Sequence, residues 1–451
     1  MANWMNDPNG LIYWKGRYHL FYQCNPFSTA HVTVCWGHAV SNDLIHWEDL
    51  PLALTPTPGS VDQDGCWSGC AVVHGGEVYL LYTGVKGERP HHRQRPCLAR
   101  ALDDDLVSFE KFAGNPVIPE EPLPGLLGFR DHTVRSVEGE LRQLIGSGSA
   151  ALGGCVLEYG SKNLISWEYR GVFLAGRSGD LPGSICLPGS IWECPDLFRL
   201  GDRWFLVISL FDGGPTRVVF LEGTFEQERF VPKASGRLDT GHRWYAPQSF
   251  DTPDGRRVAF GWLREREDEL PEAIRGRVGV MSLPRELVVG PDGSLGMAPV
   301  AELLSLRGKP FVPARRAVGG GGPLLEADRS VAALEVEVAE GGPGATVVDL
   351  LDEHGGLVVE IAVAEDEIEI SLSTVVPATT AALYRGPLRI FYDDGICEVF
   401  TAAGQVRTEI FYDRALVRLV AVREVSNGGG LSPVGPEKVR AWELANIWEG
   451  R

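Results

Sequence analysis

A chain of 451 residues, 44% apolar and 23% charged, has room for two or three domains with sizeable cores. Its formal net charge of −18 argues against nucleic acid and anionic membranes as partners and favours a neutral small molecule or polymer. No apolar run approaches a membrane span, and the first residues form no basic or apolar leader, so a cytoplasmic protein is expected, with secretion after removal of a signal as the alternative.

The first distinctive stretch is "WMNDPNG", Trp4 to Gly10. Pro8, Asn9 and Gly10 are turn formers, but a turn does not explain the acid Asp7 between them and Trp4 and Met5. From there onward short apolar strands follow hairpin glycines: "KGRYHLFYQ", "GGEVYLLYTG", "EGELRQLIGSG", "GDRWFLVIS" and "DGRRVAFGW", with Gly16, Gly76, Gly139, Gly201 and Gly255 at intervals of roughly sixty residues. A second element recurs in step. "SNDLIHW" and "SKNLISW" are close copies, "DDDLVSF" and "GTFEQERF" looser ones, and Leu44, Leu106, Leu164 and Phe225 mark the shared place. Helical periodicity is absent. Repeats of this length, each with a few short strands, predict a five-bladed β-propeller over 1–305. A Pro/Gly/Arg-rich stretch beginning "RGKPFVPARR" follows, taken as a linker over 306–314. Alternating strands from "ALEVEVAE" to "VRLVAVRE" predict a β-sandwich over 315–451, in which Asp393, Asp394 and Gly395 fit a hairpin turn.

The first strand of a propeller blade lines the central channel, so equivalent positions on these strands meet at one mouth. Counting back eight to ten residues from each hairpin glycine gives Asp7, then Trp67 and Ser68, Asp131, Glu193, and Tyr245 with Ala246. Three acids from three repeats converge, and like charges gathered this way are costly unless a site uses them. Trp4, Trp36, Trp67, Phe129, Trp192 and Trp244 crowd the same segments as a sugar-stacking platform. Carboxylates with aromatics and no metal-ligand cluster point to glycoside chemistry without a cofactor. The cation-rich loop "VKGERPHHRQRP" and the loop "LREREDELPEAIRGR", mixed in charge, are expected beside the mouth. The nine cysteines show no paired metal spacing and are expected to be buried thiols.

These motifs resemble glycoside hydrolase family 32, the invertases and fructan hydrolases. "WMNDPNG" resembles the family's nucleophile motif; "FYQCNP", "WGHAVSNDLIHW" and "WSGCAV" its following motifs; "FRD" part of its arginine–aspartate–proline motif; "WECPDLF" its glutamate–cysteine motif; and "WYAPQ" and "SLPREL" further segments. The resemblance implies a five-bladed propeller with a C-terminal β-sandwich and a retaining hydrolase of terminal β-fructofuranosyl groups. In that reading Asp7 is the nucleophile, Glu193 the general acid/base, and Asp131 the holder of fructosyl hydroxyls, with Arg130 beside it. Asn6, Gln23, Trp36, Trp67 and Ser68 bind sugar. One position departs from the family pattern: His132 stands where proline usually follows the aspartate. Sucrose, sucrose phosphate, fructo-oligosaccharide and fructan all fit as donors. A fructosyltransferase using the same intermediate and a catalytically silent sugar-binding propeller are the alternatives.

Overall fold

The computed structural model describes residues 3–88, 92–137, 139–177, 181, 187, 189–214, 216–265, 276–290, 293–314, 324–339, 345–364, 367–372, 386–412, 415–425, 431–434 and 436–446. Parts of both loops expected beside the mouth, 89–91 and 266–275, and the Gly-rich stretch 315–323 lie outside the described residues. The chain forms two compact units, the first built mainly from residues before 290 and the second mainly from 296 onward.

The first unit is a five-bladed β-propeller. Blade I holds Asn3–Trp14, Arg17–Asn25, Cys35–Ser41 and Trp47–Leu54, and blade II Gly65–His74, Glu77–Lys86, Arg93–Ala101 and Phe109–Lys111. Blade III holds Leu126–Val137, Glu140–Ser149, Gly153–Ser161 and Glu168–Ala175; blade IV Ile191–Leu200, Arg203–Phe211, Arg217–Glu226 and Arg229–Arg237. Blade V is built on Trp244–Asp251, Arg257–Leu263 and Arg285–Val289. The first strands of successive blades lie side by side, and that of blade V returns to that of blade I. The ring is closed by the chain's first described residues, as Asn3 and Trp4 pair in parallel with Arg277 and Val278. Each hairpin glycine sits at positive φ, 93° at Gly16 and 85° at Gly76, which the two-residue hairpins of blades I and II require and a Cβ disfavours.

The second repeated element also has a physical form. Asp43 Oδ1 accepts from the backbone N–H groups of Ile45 and His46, and Asn163 Oδ1 from those of Ile165 and Ser166. These side-chain-closed turns hold Leu44 and Leu164 at positive φ with their side chains fully buried, and the indoles of Trp47 and Trp167 donate to the two leucine carbonyls. Leu106 shares the left-handed backbone, but Phe225 does not: in that copy Gln227 and Glu228 make the turn.

The second unit is a sandwich of two antiparallel sheets. One orders Arg307–Pro310, Val439–Leu444, Ala333–Val338, Leu388–Asp393, Ile396–Thr401 and Val406–Ile410. The other orders Val312–Pro313, Leu324–Val331, Val417–Val425, Ala345–Leu351, Leu357–Val363 and Ile368–Ser371. A core including Leu334, Val336, Val348, Leu350, Ile390 and Val420 fills the space between. Residues 307–310 and 312–313, expected as linker, are edge strands of the two sheets, where a proline leaves no ladder hydrogen bond unmade. Asp394 and Gly395 form the hairpin turn expected of them.

Candidate active site

All five inner strands are irregular at the same level. Asn6 and Asp7 together oppose Gln23; Ser68 is extra between Trp67 and Gly69; Asp131 is extra between Arg130 and His132; Cys194 and Pro195 follow Glu193; and Ala246 and Pro247 follow Tyr245. An inserted residue releases a strand from strict alternation and re-aims the side chains around it. Asp131, Cys194 and Ala246 take φ of 63°, 48° and 49° at these bulges, a backbone that non-glycine residues adopt at a cost. The strain falls where three acids are turned into one channel.

Cys194 is the meeting point. Its backbone N–H donates to Asp131 Oδ2 at 3.3 Å, and its thiol lies 3.9 Å from Asp7 Oδ2. Asp7 is ringed by neutral donors: Ser68 Oγ at 2.6 Å and Gln23 Nε2 at 2.9 Å on Oδ2, and Asn6 Nδ2 at 3.1 Å on Oδ1. Burial pushes the Asp7 carboxyl up to about 6; the Ser68 and Asn6 hydrogen bonds act against this, and the Glu193 charge adds to it. Burial also raises Asp131, Arg130 opposes the rise, and the charges of Glu193 and Asp7 reinforce it.

Glu193 is held from both sides. Arg130 donates to Oε1 through Nε at 3.0 Å and Nη2 at 2.5 Å, and the Tyr245 hydroxyl donates to Oε2 at 2.6 Å. Arg130 Nε lies 3.8 Å from Asp131 Oδ2, so one guanidinium serves two carboxylates but bonds closely to Glu193. Burial works against the Arg130 charge, and Glu193 and Asp131 outweigh it, holding the guanidinium above its usual range. The site thus holds two differently supported carboxyl groups, one among neutral donors and one against a cation and a phenol.

Thr83 ties the assembly together. Its hydroxyl donates to the Ser68 carbonyl at 2.8 Å and accepts from the Asp131 N–H at 3.2 Å. His132 Nε2 lies 3.1 Å from the same oxygen. With the threonine proton committed, His132 presents Nε2–H as donor. Burial lowers its pKa to about 3, keeping the ring neutral. The residue standing in place of proline therefore braces the Asp131 bulge.

The structure brings Asp7, Glu193, Asp131, Asn6, Gln23, Ser68 and Arg130 together. It corrects the aromatic platform. Trp36 is wholly buried at 0% exposure and leaves no face for a sugar; its indole donates to the Trp67 carbonyl at 3.0 Å and packs beside Phe21. Phe129, Trp192 and Trp244 are likewise core. The half-buried rings form a row instead: Trp4, His31, Trp67 and His92, with successive centroids 5.5, 5.4 and 5.1 Å apart. Tyr245 and Thr83 were missed as site residues. Tyr245 had a signal, since it falls at the aligned inward position; Thr83, on a second strand, had none. The eight described cysteines are buried free thiols, and no helix among the described residues is long and apolar enough to cross a membrane.

Comparison with known proteins gives a consistent result. A family model described as "Glycosyl hydrolases family 32 N-terminal domain" matches residues 1–299. A sucrose-6-phosphate hydrolase of Zymomonas mobilis is 37% identical over 330 residues, 68% of this chain and 62% of that protein. The aligned stretch thus spans less than two thirds of that relative's length. A sucrose-6-phosphate hydrolase of Salmonella typhimurium is 33% identical over 429 residues, covering 89% of this chain and 84% of that protein. Among solved structures, a GH32 beta-fructofuranosidase of Bombyx mori superposes with a TM-score of 0.77 at 29% identity, over 99% of this chain and 92% of that one.

Proposed function

Since this chain belongs to glycoside hydrolase family 32, we propose that it is a retaining β-fructofuranosidase that removes a terminal fructosyl group from sucrose or a phosphorylated or extended form of it. The observation that carries the reading is the convergence of Asp7, Glu193 and Asp131 on Cys194 from three blades, each with a different set of partners. Relatives named sucrose-6-phosphate hydrolase and raffinose invertase support a sucrose-type donor.

Asp7, ionised, attacks the anomeric carbon. Its neutral donors orient the lone pairs without a cation to hold them back. Glu193 gives its proton to the departing oxygen; the Tyr245 hydroxyl and Arg130 hold the carboxyl in place while it does so. The bond from the anomeric carbon to the leaving oxygen breaks as the fructosyl ester on Asp7 forms. Glu193, now a carboxylate, takes a proton from water, which displaces Asp7 and regenerates both groups. Asp131 accepts hydrogen bonds from fructosyl hydroxyls, and the half-buried Trp67 offers an apolar face to the sugar. Attack twice at one carbon returns the original configuration.

Product analysis on sucrose, sucrose 6-phosphate, inulin and levan tests the reading and ranks the donors. Proton NMR at early times should show β-fructofuranose as the first product. Glu193→Gln should lose at least about 10²-fold in turnover on sucrose. Release of no fructose from any of the four, or a first product of inverted configuration, overturns the assignment.

A further inference from the structure

The acid/base is held by Arg130, and Arg130 is itself held. Gln94, on the third strand of blade II, is buried, and its Oε1 accepts from Arg130 Nη1 at 3.0 Å and from the Phe129 backbone N–H at 3.0 Å. Both partners are donors that cannot accept, so the orientation of this amide is fixed by chemistry. Its Nε2 must then donate, and it lies 2.7 Å from His92 Nε2, which makes that ring nitrogen an acceptor. A continuous chain runs from His92, beside Trp67 in the row of half-buried rings, through Gln94 and Arg130 to Glu193 and Tyr245.

We propose that Gln94 is a positioning residue for proton delivery to the leaving group. It acts through Arg130, and the proposal rests on the fructosidase reading above. A guanidinium can rotate about its own axis and offers five donors. Two of its nitrogens are satisfied by Glu193, and Gln94 supplies the acceptor for the third. Arg130 is 8% exposed, so water has little access to replace that acceptor. Without Gln94 the fork loses its anchor on the far side, and Glu193 loses the fixed direction along which its proton leaves. Asp7 shares no hydrogen bond with this chain: its close donors are Asn6, Gln23 and Ser68. The chain therefore serves the proton and not the nucleophile.

That division gives a test that loss of general structural support would fail. Sucrose needs a proton on its departing oxygen, whereas β-fructofuranosyl fluoride leaves with little acid assistance. Gln94→Met keeps the length and removes both hydrogen-bonding ends. Its kcat/KM for sucrose should fall about tenfold, part of the range a general acid supplies, while that for the fluoride stays within about twofold. Gln94→Glu should shift the alkaline limb of the sucrose pH profile upward, because a carboxylate at 94 draws the Arg130 charge away from Glu193. Melting curves of both variants check folding. Equal losses on the two substrates, or no loss on either, would overturn the proposal while wild-type turnover upholds the fructosidase reading. Wild-type enzyme that cleaves neither compound would overturn that reading, and the role of Gln94 with it.

Discussion

Asp7→Asn should abolish turnover and make the protein more stable. The Asp7 carboxyl rises from 3.8 to about 6 because the native state buries its charge and sets Glu193 nearby. A rise of about two units at 1.36 kcal/mol each means that ionised Asp7 destabilises the native state by about 3 kcal/mol at alkaline pH. The sign follows from proton binding. Between pH 3.8 and about 6 the folded protein keeps a proton that the unfolded chain has released, so stability falls as pH rises through this window. Asparagine is neutral throughout. It fits the hydrogen bonds if the Gln23 amide turns over, since Gln23 Oε1 is buried without a partner among the described residues and then accepts from the new amide. At about 2.1 cal/mol/K of unfolding entropy per residue, 3 kcal/mol corresponds to a gain of about 3–5 °C in Tm, the lower value applying if the whole chain melts together. Calorimetric melts at pH 8, 6 and 4 measure it. The gain should be full at pH 8 and largely gone by pH 4, where wild-type Asp7 is protonated. A variant that melts below wild type at pH 8, or by a constant margin at every pH, would show that Asp7 carries no such burden.

Three further outcomes follow from the same geometry. The acid limb of kcat/KM on sucrose should turn near pH 6, as the nucleophile must be ionised. Trp67→Ala should raise KM for sucrose with a near-normal melt. Trp36→Ala should lose about 3–5 kcal/mol of stability, the range for a large buried aromatic, measured by urea unfolding.

Much of the architecture is legible because repetition amplifies weak local signals. One "KGR" hairpin says little, but five glycines at one spacing specify blades, and the blades align Asp7, Asp131 and Glu193. The bulges that turn the acids into the channel are announced by no residue type: Asp131 and Cys194 take left-handed backbones with ordinary side chains. Aromatic exposure was not legible either. Trp36 and Trp67 stand in similar motifs, and only packing separates the buried ring from the half-buried one. The edge strands at 307–313 were hidden by their prolines, which mark a linker and an edge equally well. Gln94 lies in a loop-like, charged stretch, and its partners are distant in sequence.

The parallel pairing of Asn3 and Trp4 with Arg277 and Val278 has a consequence for biosynthesis. The strand bearing Asp7 is made some 270 residues before Arg277 and Val278, which pair with its free edge. Until then a nascent propeller presents an open strand edge, a template for pairing with another chain. The acids stay apart over most of this interval, because Asp7 belongs to blade I and Glu193 to blade IV, and the strands of blades II and III must be made between them. Their mutual repulsion enters late in assembly, so ribosome-bound fragments ending before blade IV should be catalytically inert.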